Sequence, residues 1–141
     1  MGFFSPKRDE NDPQQLAIAV HELGHAWAWK DAGLDVYEIT FSGDDGATGV
    51  RYDEADLYAY AVGCWAGFEA EDKWRRQHGH GNAKRRNASH DIRSFKDTVR
   101  ELGGGLSEGT ARRLARARIA KRWRQIEALA PQLVHKGRIS I

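Results

Sequence analysis

The stretch "AVHELGHAW", residues 19–27, sets His21 and His25 four positions apart with Glu22 directly after the first histidine. Side chains at i and i+4 of an α-helix lie one above the other, so both imidazoles can reach one Zn2+ at about 2.0–2.1 Å. The helical pitch turns Glu22 roughly 100° away from His21. That makes it a poor third ligand but a suitable base for a water beside the metal, and the three residues together have the composition of a zinc hydrolase motif. The bland alternative is two histidines and a glutamate on a solvated helix face. Against it, His21 and His25 flank an apolar stripe of Leu16, Val20, Leu23 and Trp27. Gly24 costs a helix about 1 kcal/mol relative to alanine, which implies close packing at that point.

Hydrolytic zinc sites hold three protein ligands and leave one position open. Cys64 is the only cysteine, so no intrachain disulfide can form and the third ligand must be a histidine or a carboxylate. Asp31 is set aside, because compact variants of the motif need a glycine at position 28, which is alanine here. Three candidates remain: Glu71, on the apolar row of the second helix, and His90 or Asp91 at the start of the third. Glu71 could instead pair with a cation, and Asp91 could simply complement a helix N-terminus.

The elements that must position these groups follow from periodicity and punctuation. Asp12, Pro13 and Gln15 read as an N-cap, a proline at the first helical position and a capping-box partner, opening a helix that runs to Gly33. From Val36 the pattern alternates, with Tyr37, Ile39 and Phe41 on one face, then "SGDDG" as a turn and "ATGVRY" as a second strand, a hairpin beside the histidine helix. Asp53 caps a second helix with the apolar row Leu57, Tyr60, Ala61, Cys64 and Phe68. A third helix from Ser89 buries Ile92, Phe95, Val99 and Leu102 and ends at "GGG". One last helix carries Ile119, Trp123, Ile126, Ala130 and Leu133, with Arg112 to Arg124 on a solvated face. "HGH" at 78–80 reads as a glycine-broken polar loop. The expected fold is therefore mainly α (α+β), with four principal helices and a short sheet, in which residues 1–12 form a tail and 13–141 one domain. An exposed strand edge invites an extended peptide, and the expected edge is 47–52, where Gly49 would let another backbone approach Val50 closely.

A length of 141 residues suits one domain, and 40% hydrophobic beside 30% charged residues suits a globular one. A net charge of +2 is too small to imply a nucleic-acid partner. No apolar run is long enough for a membrane span or signal peptide, so the expected location is cytoplasmic.

In order along the chain, "AIAVHELGHAWAW", "VYEITFSGDDGATGVRY", "GCWAGFEAEDKW", "NASHDIRSFKDTVREL" and "WRQIEALAPQLVHKGRIS" resemble the blocks of the FtsH-type zinc metallopeptidase domain, over about residues 15–140. The order of all five blocks carries the resemblance; the HExxH block alone marks only the wider zinc-peptidase class. Leu23 stands where that family usually has alanine, His90 where it has asparagine, and Phe68 and Glu69 where it has arginine and alanine. The resemblance implies a zincin-like helical domain with one Zn2+ bound by His21, His25 and Asp91, Glu22 as catalytic base, and Glu71 supporting the ligands from behind. It also implies peptide or unfolded-protein substrates, and a homo-oligomer or a separate ATPase as partner. No GxxxxGK[ST] phosphate-binding loop occurs in the sequence, so cleavage by this chain itself is expected to be independent of ATP. The alternative is a non-catalytic zinc-binding regulatory or adaptor domain that keeps the same fold.

Overall fold

Asp12 caps α1 (Pro13–Asp31) by accepting a hydrogen bond from the Gln14 amide. The structure, a computed structural model, describes residues 7–141, and the first six residues of the expected tail lie outside it. Gln15 does not close a capping box. Its buried side chain reaches back instead, accepting from the Asp9 amide at 2.8 Å and donating to the Lys7 carbonyl at 2.8 Å. Residues 7–12 are thus tied onto the domain rather than trailing from it.

The expected apolar stripe on α1 is too narrow a description. Ala17, Ala19, Val20, Leu23, Ala26 and Ala28 are all buried, while Leu16 and Trp27 are only half-buried. A helix apolar on every side must be wrapped on every side, and α1 is covered by the sheet and by helices α2 (Leu57–Gln77), α4 (Glu108–Lys121) and α5 (Trp123–Lys136). His21, Glu22 and His25 therefore sit in the interior, not at the edge of a core. Helix α2 is wrapped in the same way, with every residue from 61 to 70 buried, and α3 (Ser89–Glu101) packs across it.

The hairpin forms as expected, β1 (Asp35–Phe41) against β2 (Gly46–Arg51), antiparallel. A bulge between Val36 and Glu38 shifts the register at Tyr37. Ile39 and Phe41 face the core, but Tyr37 is turned outward and is 46% exposed, which corrects the expected three-residue face. The missing Cβ of Gly49 is explained by the same residue: a Cβ there would lie 2.6 Å from the Tyr37 ring. A third strand, β3 (Arg138–Ile139), pairs antiparallel with β1, giving the order β2-β1-β3 and leaving β2 as an edge.

There are five helices among the described residues rather than four. The expected last helix breaks at Arg122, which lies between α4 and α5. The break lets α4 pack on α2 and α5 on α1. Arg122 fixes it by donating through Nε and Nη2 to the Asp31 carboxylate at 2.8 and 2.7 Å, with its guanidinium 4.5 Å from the Trp27 ring. The basic residues from 112 to 124 are therefore not all on a solvated face. Arg112 and Arg116 also turn inward, at 2.6 and 3.3 Å from the buried carboxylate of Glu69.

The tightest packing joins α1 to α2. A Cβ on Gly24 would stand 2.5 Å from the Ala66 carbonyl oxygen and 2.6 Å from the Ala70 Cβ, both parts of α2 with little freedom to move. Helix propensity alone would favour alanine at 24 by about 1 kcal/mol, whereas overpacking costs roughly 1–3 kcal/mol. Gly24→Ala is therefore expected to destabilise the protein in urea unfolding. A gain in stability would show that the two helices are not held at this separation.

Candidate metal centre

Three helices bring the site together. His21 and His25 come from the middle of α1, and Asp91 comes from the first turn of α3. His21 Nε2 lies 3.0 Å from Asp91 Oδ2, His25 Nε2 lies 3.1 Å from the same oxygen, and the two Nε2 atoms are 3.1 Å apart. Helix α2 forms the wall behind them. Gly67 has no Cβ because the space is filled by the two imidazoles.

The far side of each ring is tied down. His25 Nδ1 donates to the Gly63 carbonyl at 2.7 Å, and since that carbonyl can only accept, the proton of a neutral His25 sits on Nδ1 and its Nε2 carries a lone pair. His21 Nδ1 donates to Glu71 Oε1 at 3.0 Å, which leaves its Nε2 in the same state. Glu71 is held in turn by Arg75, whose Nε donates at 2.6 Å to Oε2 and whose Nη2 donates to Gln14 at 2.9 Å. Trp29 stacks on His25 with ring centroids 5.0 Å apart.

Three electron-pair donors thus converge on one point, where a cation, a metal ion or a shared proton, would offset their mutual repulsion. Two neutral imidazoles and a carboxylate are the donors zinc takes. A tetrahedral site with bonds of about 2.0–2.1 Å sets neighbouring ligand atoms roughly 3.3 Å apart, close to the separations found here. Carboxylate and carbonyl partners behind metal-binding histidines are the support such sites need. The residues fit the metal.

Without a metal, a proton must do the same work. Burial draws the His21 pKa down, but its hydrogen bonds with Asp91 and Glu71 and the charges of Glu22 and Asp91 outweigh burial and push it up to about 10. Burial draws Asp91 the other way, upward, yet His25 and His21 outweigh it and hold the carboxyl well below its usual range. Glu71 is likewise held low, with His21 and Arg75 overcoming burial.

Of the residues singled out from the sequence, His21, His25 and Asp91 form the cluster, and it is the one group of three such ligands among the described residues. Glu71 stands behind His21, and Asp31 is occupied by Arg122. His90 is exposed and lines an adjoining groove rather than joining the donors. Glu22 is 9% exposed, and its Oε1 accepts from the Thr48 hydroxyl on β2 at 2.9 Å.

Glu22 also separates two hollows. One, of about 300 Å3, is lined by His21, Glu71, Asp44 and Asp45. The other, of about 220 Å3, runs between β2 and α3 and is lined by Trp29, Val50, Tyr60 and Cys64. Burial, the Asp91 charge and a smaller opposing hydrogen bond from Tyr60 leave the Cys64 thiol pushed up to about 12, so this cysteine is an inert wall. Thr48, Gly63 and Gly67 were not foreseen as parts of the site. The spacing of Gly63 and Gly67, i and i+4 within "GCWAG", was the available signal of a helix face approached closely by another element.

Compared with known protein families, curated proteins and solved structures, the chain matches none of them. The site is read from its own atoms.

Two outcomes test it. Asp91→Asn is expected to weaken zinc binding by more than tenfold, while Glu71→Gln, acting through His21, weakens it less; a reversed order in competition titrations would displace Asp91 as a ligand. The His21 pKa of about 10 lies above its unfolded value near 6.5, so the stability that its charge gives the metal-free protein is complete below pH 6.5 and is lost as pH rises toward 10. Since zinc displaces that proton, its apparent affinity should rise about tenfold per pH unit from 7 to 9, as isothermal titration in buffers of different ionisation enthalpy would show.

Proposed function

We propose that this chain is a zinc-dependent metallopeptidase that hydrolyses peptide bonds in unfolded or flexible polypeptides. One observation carries the reading: His21 Nε2, His25 Nε2 and Asp91 Oδ2 converge within 3.0–3.1 Å, beside the Glu22 carboxylate and next to an edge strand. The five sequence blocks that resemble the FtsH-type peptidase domain support it.

His21, His25 and Asp91 would hold one Zn2+, which when bound would supply Lewis-acid chemistry. The chain's own residues do the rest. Thr48 holds one oxygen of Glu22, and Oε2, which makes no hydrogen bond among the described residues, is left to take a proton from the attacking water. Glu22 then returns that proton to the departing amine. The outer edge of β2 offers unpaired N–H and C=O groups to an extended chain, and the adjoining groove, with Val50 and Tyr60 in its walls, takes the side chains. A folded substrate resists being drawn out by about 5–15 kcal/mol of folding free energy. With no phosphate-binding loop in these 141 residues, the substrates are chains already loose.

Zinc-loaded protein is therefore expected to cut casein or unstructured peptides at a rate that ATP leaves unchanged. Glu22→Gln should keep zinc and lose about 10²–10⁴-fold in kcat. N-methylation of the peptide's backbone amides near the cut bond should weaken binding more than changes of side chain there. Full zinc occupancy without cleavage of any peptide would favour the regulatory or adaptor alternative.

A further inference from the structure

Helix α3 has two flanks. One carries His90, Asp91 and Ser94 into the groove beside β2. The other, together with the turn before it, lines a shallow depression of about 390 Å3 with Arg85, Arg93, Lys96 and Arg100 around Ile92. Arg85 is engaged by Glu108 and Arg100 by Asp97, whereas Arg93 and Lys96 are exposed and enter no ion pair with a described residue. From 84 to 100 the sequence holds six Lys and Arg residues and two Asp, one of which, Asp91, is turned to the metal centre. A chain with a net charge of only +2 thus concentrates positive charge at this place.

The depression and the groove meet along one helix. Ser89 and Arg93 line the depression, and their neighbours His90 and Ser94 line the groove. A polypeptide that lay along β2 and crossed over α3 would meet Arg93 and Lys96, each next to or two positions from a groove residue on the same helix. At the other end of the site the hollow beyond Glu22 presents Asp44 and Asp45, while Glu71 in the same wall is paired with Arg75, so among the described residues the unpaired charge is negative there and positive at Arg93 and Lys96. No aromatic side chain lines the depression, so nothing in it stacks bases as a single-stranded nucleic-acid site would.

We propose that the outer flank of α3 is a docking surface for acidic segments of the polypeptide whose neighbouring residues occupy the groove. The proposal rests on the peptidase reading for the identity of that polypeptide. It makes acidic residues to one side of the cut bond a determinant of specificity, acting through charge and therefore sensitive to salt.

The test uses zinc-loaded Glu22→Gln protein and two fluorescent unstructured peptides of equal length, one ending in four glutamates and the other in four glutamines. Anisotropy titration is expected to show the acidic peptide bound several-fold tighter at low salt. The ratio of the two affinities should collapse toward one in about 0.5 M salt. It should also collapse in a protein that further carries Arg93→Gln and Lys96→Gln, but not in one carrying Arg113→Gln and Lys121→Gln on α4, with zinc content and melting temperature as folding controls.

Equal affinity for both peptides, or an acidic preference that survives the Arg93 and Lys96 changes, would overturn the proposal. So would an equal loss from the α4 pair, or stronger competition by a DNA duplex than by the acidic peptide. If the acidic preference appears and vanishes as expected but wild type cuts no peptide, the docking surface stands and the peptidase reading falls.

Discussion

The closeness of α1 and α2 sets the terms for everything else. Gly24 lets α1 rest on the Ala66 carbonyl, and Gly67 lets α2 pass beneath both imidazoles without touching them with a side chain. At this separation the Gly63 carbonyl is within reach of His25 Nδ1 and the Glu71 carboxylate within reach of His21 Nδ1. Backbone and side-chain partners from α2 thereby decide which nitrogen of each ring is free. A looser contact would leave the same histidines with undefined tautomers and rotamers, and the donors would no longer share a point.

The third donor arrives by a separate route. Asp91 belongs to α3, whose preceding turn is pinned by Arg85 to Glu108 on α4 at 2.6 and 3.1 Å, with the Arg85 and Arg112 guanidinium groups each over the ring of Trp65. Arg112 is in turn committed to Glu69 on α2. The position of Asp91 is therefore set by packing among α2, α3 and α4, and the position of the histidines by α1 and α2. The cluster of His21, His25 and Asp91 is the place where the two sets of constraints agree.

Much of this could be read from local pattern, and the failures have physical causes. The histidine helix and the hairpin follow from spacing and caps that involve only neighbouring residues, whereas spacing left Glu71, His90 and Asp91 open as the third donor and only the family resemblance singled out Asp91. Gln15 was misplaced because its partners, Asp9 and Lys7, precede the cap and compete with it. The break at Arg122 has no glycine or proline to announce it; it is produced by Asp31, ninety-one residues earlier. Tyr37 obeyed strict alternation on paper, but a bulge displaced it, and Gly49 opposite proved to be room for its ring. Glu69, two residues after "GCWAG", stood out only as a departure from the family's alanine, because the two arginines that close over it come from α4, more than forty residues later.

The strand order has a further consequence. Strand β3 covers Ile39 and Thr40 on one border of β1, and Arg138 reaches Glu38 at 3.1 Å beside it. Hydrogen-bonding capacity for an incoming strand is then concentrated on β2, the border that lines the groove with Glu22, His25 and Asp91. Two copies of the chain joining sheet to sheet would use that same border, and each would fill the other's binding edge. Pairing of the protein with itself and pairing with any other extended chain are thus mutually exclusive events on one strand, so the two would compete as the protein is concentrated.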